Sequence, residues 1–286
     1  MNKAAGTFIL ALLVAAFLLG TPTRGRAHIL RVEDGHYVSL AEMLDDLKGV
    51  QLVFMGELHD HAGHHRAQLQ VINGLKDMGV PVAVGLEMFR QESQWALDRW
   101  VAGTMPVGEF LRIYSDNWSR WSVYREIFFT SRRKKIPMVG LNISREITRK
   151  VARNGFASLT PEQAGQIPGV RCDVDEKYRN YIRRVLGGHG GDDESFIHFC
   201  EAQMLWDSAM ARALLDFLAA NPNYTVVVLT GSGHAWKYGI PEQVKRQKEV
   251  PYRVLLPEIR GRIEAGDATP AEADYLMLGL DEAPLH

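Results

Sequence analysis

Four side chains that can carry out acid–base or metal chemistry follow short apolar runs of the chain. Glu57 and His59 follow one run, Glu87 follows another, and His234 follows a third. A histidine near a carboxylate can act as a general base, or the two can bind a divalent ion that activates water. If the protein is a hydrolase, we expect Glu57, His59, Glu87 and His234 to be catalytic, with His59, Glu87 and His234 as metal ligands. These ligand types suit Mn, Fe, Co or Zn and do not choose among them.

Each of these residues has a simpler structural explanation when it is taken alone. A single histidine at a strand end is usually a hydrogen-bonded structural residue, and a glutamate there can cap the next helix. Four such residues that converge are harder to explain as caps, because a buried pair of glutamates needs a counter-charge, a proton or a metal. Arg66, Arg90 and Arg145 are the available counter-charges. We therefore predict one functional site.

Five apolar runs predict the elements that position this cluster. The runs cover residues 50–56, 80–86, 136–141, 224–230 and 250–256. Their length and β-branched content indicate strands buried on both faces of a parallel sheet, with helical periodicity in most of the stretches between them. The predicted fold class is α/β, with a mainly parallel open sheet flanked by helices. Ligands of such sheets bind outside the carboxyl ends of the strands, where the four side chains fall.

A long stretch between the third and fourth runs cannot be a single crossover. It contains helical segments at 145–153, 175–186 and 196–219, with a Gly-rich loop at 187–193 between the last two. We expect a smaller helical subdomain inserted at about 144–222, extended by residues 90–132. Both belong to one domain at 28–286.

The N-terminus predicts export. Lys3 precedes an unbroken run of 12 apolar residues, Phe8–Leu19, which matches the core of a signal peptide at residues 1–27. An uncleaved interfacial anchor is the alternative, so we expect a periplasmic or membrane-associated protein. Cys172 and Cys200 either form a disulfide or remain two buried thiols.

Composition excludes several other classes of function. With 33 basic and 34 acidic residues and 46% hydrophobic residues, the chain is neither disordered nor an electrostatic nucleic-acid binder. It contains no Gly-x-Ser-x-Gly elbow, Walker-type phosphate loop or Rossmann fingerprint.

Two Gly-x-x-His elements, at residues 56–59 and 231–234, resemble the signature of the Tiki superfamily. Within that superfamily the chain is most similar to the ChaN-like haem-binding uptake family. The similarity continues through residues 86–89, 136–142, 145–147, 201–207 and 239–241. It therefore covers nearly all of the chain after residue 27.

This resemblance implies an extracytoplasmic haem-binding protein for haem or iron uptake. A tyrosine is expected to hold the haem, homodimers can stack two haems face to face, and a haem receptor or transporter is the expected partner. Other branches of the superfamily are hydrolases, including metal-dependent Tiki proteases and erythromycin-esterase-like enzymes. There, residues matching His59, Glu87 and His234 carry the reaction or the metal, which keeps a metal-dependent hydrolase as the alternative function.

An aromatic and arginine-rich stretch contains the residues expected to bind haem. They are Tyr114, Tyr124, Trp118, Trp121, Arg120 and Arg125. The family tyrosine is not plainly aligned, since one register places Ser119 there. Flat aromatic rings suit a porphyrin and arginines suit its propionates, but an aromatic-rich helix packed on the sheet explains the stretch equally well. Of the adjacent His64 and His65, we expect one to face the site and one to face solvent.

Overall fold

The computed structural model describes residues 27–167, 169–170, 172–186, 193–281 and 284–285. The predicted signal peptide at 1–27 lies outside these residues apart from Ala27, and so does most of the Gly-rich loop predicted at 187–193. In the described part of the chain, no helix is both long enough and apolar enough to cross a membrane. Cys172 and Cys200 are both free thiols.

One eight-stranded sheet runs through the molecule. Its strands are β1 (His28–Arg31), β2 (His36–Val38), β3 (Leu52–Glu57), β4 (Val82–Arg90), β5 (Met138–Asn142), β6 (Thr225–Gly231), β7 (Tyr252–Pro257) and β8 (Tyr275–Leu278). They are arranged in the order β2-β1-β8-β7-β3-β6-β4-β5. The six strands from β8 to β5 are parallel, and the β1–β2 hairpin adds an antiparallel edge. The predicted α/β fold with a mainly parallel open sheet is confirmed.

The five predicted strands are present and begin one or two residues later than their apolar runs. Strands β1, β2 and β8 are additional to them. The first two have only four and three residues and are partly exposed, so no continuous apolar run marks them. The central strands are buried along almost their whole length, as expected where helices cover both faces.

Helices cover both faces of the sheet. They are α1 (Leu40–Leu47), α2 (Ala62–Asp77), α3 (Gln94–Ala102), α4 (Val107–Asn117), α5 (Trp121–Lys134), α6 (Arg145–Asn154), α7 (Pro161–Gly165), α8 (Glu176–Val185), α9 (Glu194–Ala220), α10 (Ser232–Ala235) and α11 (Ile240–Gln247). One core cluster packs the five helices from α1 to α5 against one face of the sheet. Another packs α8, α9 and α11 against the opposite face.

The helices predicted as an inserted subdomain lie on one side of this sheet. Residues Met210 and Leu214 of α9 pack on the strands, while a smaller cluster around Ile147 and Val151 joins α6 to α9. The helices within residues 90–132 pack on the opposite face. They therefore do not extend the 144–222 region.

Candidate functional site

Three neighbouring strands bring the predicted residues to one edge of the sheet. Strand β6 lies between β3 and β4, and Glu57 is paired in register with Gly231. Glu57 and Glu87 are each 1% exposed, and His59 and His234 lie beside them. The structure thus brings together Glu57, His59, Glu87 and His234, which the sequence places up to 177 positions apart.

The first glycine of each Gly-x-x-His element lies against residues of the other element. A Cβ atom at Gly56 would lie 2.9 Å from the Ser232 hydroxyl oxygen, and one at Gly231 would lie 3.1 Å from the His59 ring. Side chains at either position would separate the two strand ends. The repeated glycine is therefore required by the close approach of the two elements.

Glu57 is the centre of a dense hydrogen-bond network. Its Oε1 atom accepts from His59 Nδ1 at 2.8 Å and from the Tyr124 hydroxyl, and its Oε2 atom accepts from Gln68 Nε2 at 2.6 Å. His65 Nδ1 lies 3.2 Å from Oε2. Burial alone would raise the pKa of Glu57, but the bonds from His59 and His65 outweigh it and hold that pKa well below its usual range.

His234 has a buried carboxylate partner of its own. Its Nδ1 atom lies 2.6 Å from Asp207 Oδ1, and the Tyr178 hydroxyl donates to Asp207 Oδ2 at 3.2 Å. Burial lowers the pKa of His234, but the charges of Asp207 and Glu87 outweigh it and raise that pKa to about 9. Burial raises the pKa of Asp207, against the opposing effect of His234. His234 is therefore protonated at neutral pH.

Glu87 is held by the backbone and side chains at the strand ends. Its Oε2 atom accepts from the Thr230 hydroxyl at 2.6 Å and from the Gly231 N–H at 2.7 Å. Its Oε1 atom lies 3.9 Å from His234 Nε2. The Asn142 side chain donates to the Glu87 backbone carbonyl at 2.7 Å, which fixes the end of β4.

Both histidines line one cavity of about 240 Å³. Because the Nδ1 atom of each faces a carboxylate, the Nε2 atoms are the ring nitrogens left for other partners. For His59, burial lowers the pKa, but the Glu57 hydrogen bond and the Glu87 charge raise it overall. Two carboxylate-oriented imidazoles on one cavity are suited to proton transfer.

The donor geometry does not support the alternative of a divalent metal at His59, Glu87 and His234. Across the described residues, no group of three or more His, Cys, Asp or Glu side chains is arranged to hold a metal ion. Both oxygens of Glu57 and the Oε2 atom of Glu87 already accept hydrogen bonds, from three side chains at Glu57 and from Thr230 and Gly231 at Glu87.

The tyrosines predicted to bind haem iron are buried. Tyr114 and Tyr124 are 1% and 0% exposed, and their hydroxyls donate to the Ser119 carbonyl and to Glu57. Burial and the nearby Glu57 charge raise the pKa of both phenols, which opposes formation of the tyrosinate that ferric iron would need. As placed, neither hydroxyl is available to iron, so the structure does not support the prediction that Tyr114 or Tyr124 ligates haem.

The rest of the aromatic stretch divides between core and surface. Trp121 is half-buried and packs edge-on against the core residue Tyr114, as in the alternative of an aromatic-rich helix packed on the sheet. Trp118 is half-buried, and its ring packs edge-on against the His59 ring with 5.1 Å between the two ring centroids. Arg120 and Arg125 are exposed and make only long contacts, to Asp60 at 3.6 Å and Glu126 at 3.5 Å.

Two further expectations about charged groups are wrong. His64 and His65 are both 3% exposed, because the turn before α2 folds both rings inward: His64 accepts from the Leu58 N–H and His65 lies against Glu57. Arg66, Arg90 and Arg145 do not neutralise the glutamates. Instead, Arg66 donates to the Leu280 carbonyl and Arg90 to Glu92, while Arg145 donates to the Asn117 carbonyl.

Asp207 was not among the residues predicted for the site. It is an acid on a stretch of α9 whose neighbours are otherwise apolar or small and buried, and that mismatch is the signal that marks it. Gln68 and Tyr124 join the site through Glu57, and their sequence context distinguishes neither from a core residue.

Comparison with known proteins agrees with this architecture. Residues 43–244 match the profile of the family described as "Haem-binding uptake, Tiki superfamily, ChaN". ChaN of Campylobacter jejuni, whose structure is described as cofacial haem binding, is 20% identical. The match covers 88% of this chain and 96% of that one, with a TM-score of 0.69.

More distant structural matches have TM-scores below 0.5. The type III effector HopBA1 is 15% identical with a TM-score of 0.48, over 90% of this chain and 98% of that one. The erythromycin esterase EreC is 17% identical with a TM-score of 0.47, over 76% and 72%. A search of curated protein sequences finds no match. From the profile match over most of its length, the chain belongs to the ChaN family of haem-binding uptake proteins in the Tiki superfamily.

Proposed function

We propose that this protein binds haem outside the cytoplasm and serves haem or iron uptake. The observation that carries the proposal is the family match over residues 43–244, supported by the likeness in fold to a ChaN described as binding haem. The apolar run Phe8–Leu19 after Lys3 supports export.

The cavity beside His59 is the part of the molecule that best suits haem. At about 240 Å³ it is smaller than the cavities of about 300–1,000 Å³ that usually enclose drug-sized ligands. A porphyrin would therefore lie across its mouth. The His59 side chain is 36% exposed and its Nε2 atom has no hydrogen-bond partner among the described residues. Bound haem supplies an iron that needs an axial ligand, and imidazole is an established one.

Titration of the purified protein with haemin tests this proposal. We expect near-stoichiometric binding with a shifted Soret band, and a loss of roughly tenfold or more in affinity for His59→Ala, because the axial donor is removed. Tyr114→Phe and Tyr124→Phe should leave the Soret band unchanged. His36→Ala, at an exposed histidine on the edge strand β2, is the control.

Two results would count against the proposal in different ways. No Soret shift with wild-type protein would remove haem binding altogether. If Tyr124→Phe loses the ferric spectrum and His59→Ala keeps it, the iron ligand is Tyr124 and not His59. Tyr124 could then reach the iron only if α5 moved.

We also propose that haem-loaded protein forms a homodimer and passes haem to a receptor or transporter. The support is the family and the cofacial haem described for the ChaN of Campylobacter jejuni. Sedimentation with and without haemin should show haem-dependent dimers. A monomer in both states would contradict the dimer and leave haem binding intact.

A hydrolase is the second candidate, and one observation favours it. Two histidines, each with Nδ1 on a buried carboxylate, line the same cavity, and His234 is positioned to act as a general acid. His234→Ala should then lower the hydrolysis of a p-nitrophenyl ester by roughly 10²-fold or more. Metal analysis of protein purified without chelator separates a metal-dependent reaction from a metal-free one. No turnover in wild-type protein would remove this candidate.

A further inference from the structure

An arginine without a partner lines the same cavity as His59 and His234. Arg262 is exposed, and within the described residues its guanidinium makes no ion pair or side-chain hydrogen bond. The neighbouring Arg184 differs, because it is paired with Glu272. Among the described lining residues, Arg262 is the only lysine or arginine. It is therefore a cation at the cavity that is available to a ligand.

A second unpaired donor belongs to another residue that lines the same cavity. Trp236 lines the cavity, is 3% exposed, and its indole N–H is buried without an acceptor in the described part of the molecule. Buried N–H groups are nearly always paired in folded proteins. A guanidinium and an unpaired indole N–H can both donate to an oxygen acceptor that carries negative charge. A carboxylate is such an acceptor, and its two oxygens match the planar fork of the guanidinium.

The two glutamates of the site do not satisfy these donors. Glu57 already accepts from His59, Tyr124 and Gln68, and Glu87 from Thr230 and the Gly231 N–H. Among the described residues, neither glutamate forms an ion pair or hydrogen bond with Arg262.

The size and lining of the cavity define the rest of the ligand. Val185, Ile259 and Ile263 supply apolar side chains. A volume of about 240 Å³ holds a short chain and is too small for a whole porphyrin.

We propose that this cavity is a carboxylate-binding subsite, in which Arg262 and the Trp236 indole N–H bind a carboxylate carried on a short apolar arm. A haem propionate is such a group, and with that source the inference rests on the proposed function. A free short-chain carboxylic acid has the same chemistry.

A comparison of haemin with its dimethyl ester, in which both propionates are blocked, tests whether the bound carboxylate is a haem propionate. We expect wild-type protein to bind haemin roughly tenfold tighter than the ester, because the blocked acid loses charge-assisted hydrogen bonds. The difference should vanish in Arg262→Gln and shrink in Trp236→Phe, which removes only the N–H donor. Arg260→Gln, an exposed arginine two residues away that does not line the cavity, should keep it.

Titration with hexanoate tests the second source. A second outcome is that haemin and its ester bind with equal affinity while hexanoate binds wild-type protein and not Arg262→Gln. In that case the subsite binds a free carboxylic acid and not a haem propionate. The proposal is overturned if haemin and ester bind alike in every variant and hexanoate fails to distinguish wild type from Arg262→Gln. If haemin does not bind at all, the proposed function fails, and the hexanoate comparison still decides the subsite.

Discussion

At the scale of single residues, histidine is what makes the buried acids tolerable. Glu57 is bonded to His59 and lies beside His65, and Asp207 is bonded to His234. A buried carboxylate without such a partner would be neutralised by a proton or would destabilise the fold. The same contacts fix the orientation of each imidazole, with Nδ1 on the carboxylate and Nε2 left for other partners.

Asp207→Asn should lower the pKa of His234 from about 9 towards its ordinary value of 6.5, because the carboxylate charge is removed. A raised histidine pKa stabilises the folded state fully below pH 6.5 and loses that effect as the pH rises through about 9. The wild type should therefore exceed the variant by about 3 kcal/mol just below pH 6.5, where Asp207 is ionised, with the gap closing as the pH rises through about 9. NMR titration of the histidine and urea unfolding measure the two effects.

Asp216→Asn is the control, because this acid is exposed on the same helix and pairs with Arg212. It should leave the pKa of His234 unchanged. An unaltered His234 titration in Asp207→Asn would contradict the assignment of Asp207 as its partner.

At the scale of elements, the free edge of β5 is closed by side chains. Gln94 donates to the Met138 carbonyl at 2.8 Å and accepts from the Gly140 N–H at 2.8 Å, so its amide pairs as a neighbouring strand would. Gln91 donates to the Leu141 carbonyl at 3.0 Å. An unpaired strand edge invites association with other chains, and the two glutamines cover it.

Gln94→Leu should lower the free energy of unfolding by about 1–3 kcal/mol, since a backbone carbonyl and an N–H of β5 lose their partners. Urea denaturation measures the change. Gln166→Leu, at an exposed glutamine with no side-chain hydrogen bond in the described structure, should change stability by less than about 0.5 kcal/mol. Equal effects of the two substitutions would show that the edge contacts contribute nothing.

At the scale of the whole molecule, the site connects the helical layers on both faces to the sheet. Glu57 at the end of β3 receives bonds from Gln68 on α2 and Tyr124 on α5. On the other face, His234 after β6 is bonded to Asp207 on α9. Protonation of these groups therefore acts on packing between layers as well as on the site.

Glu57→Gln should destabilise the protein at neutral pH and much less in acid. A carboxyl whose folded pKa is depressed stabilises the fold fully above its unfolded value of 4.5, and this contribution is lost progressively as the pH falls from that value towards the depressed folded pKa. Unfolding in urea between pH 3 and pH 7 should show the gap between wild type and variant closing in acid. Glu126→Gln, at an exposed acid of α5, should follow the wild-type profile. A gap that is constant with pH would contradict the depressed pKa.

Local sequence patterns are enough to predict the parallel sheet and the ends of its strands, because continuous apolar runs and their polar ends can be recognised without knowledge of the packing. They therefore place Glu57, His59, Glu87 and His234 at one edge. Because strands of four and three residues carry too little local pattern, β1 and β2 went unpredicted.

Which groups meet at that edge depends on tertiary packing, which these local patterns do not contain. Tyr124 reaches Glu57 across 67 positions and Asp207 reaches His234 across 27, through the packing of α5 and α9 on opposite faces of the sheet. A core aromatic ring and a porphyrin-binding ring have the same composition, so the pattern from Tyr114 to Tyr124 could not separate them. The packing does, because burial commits both phenols to partners inside the protein and leaves His59 and Arg262 as the available donors at the cavity.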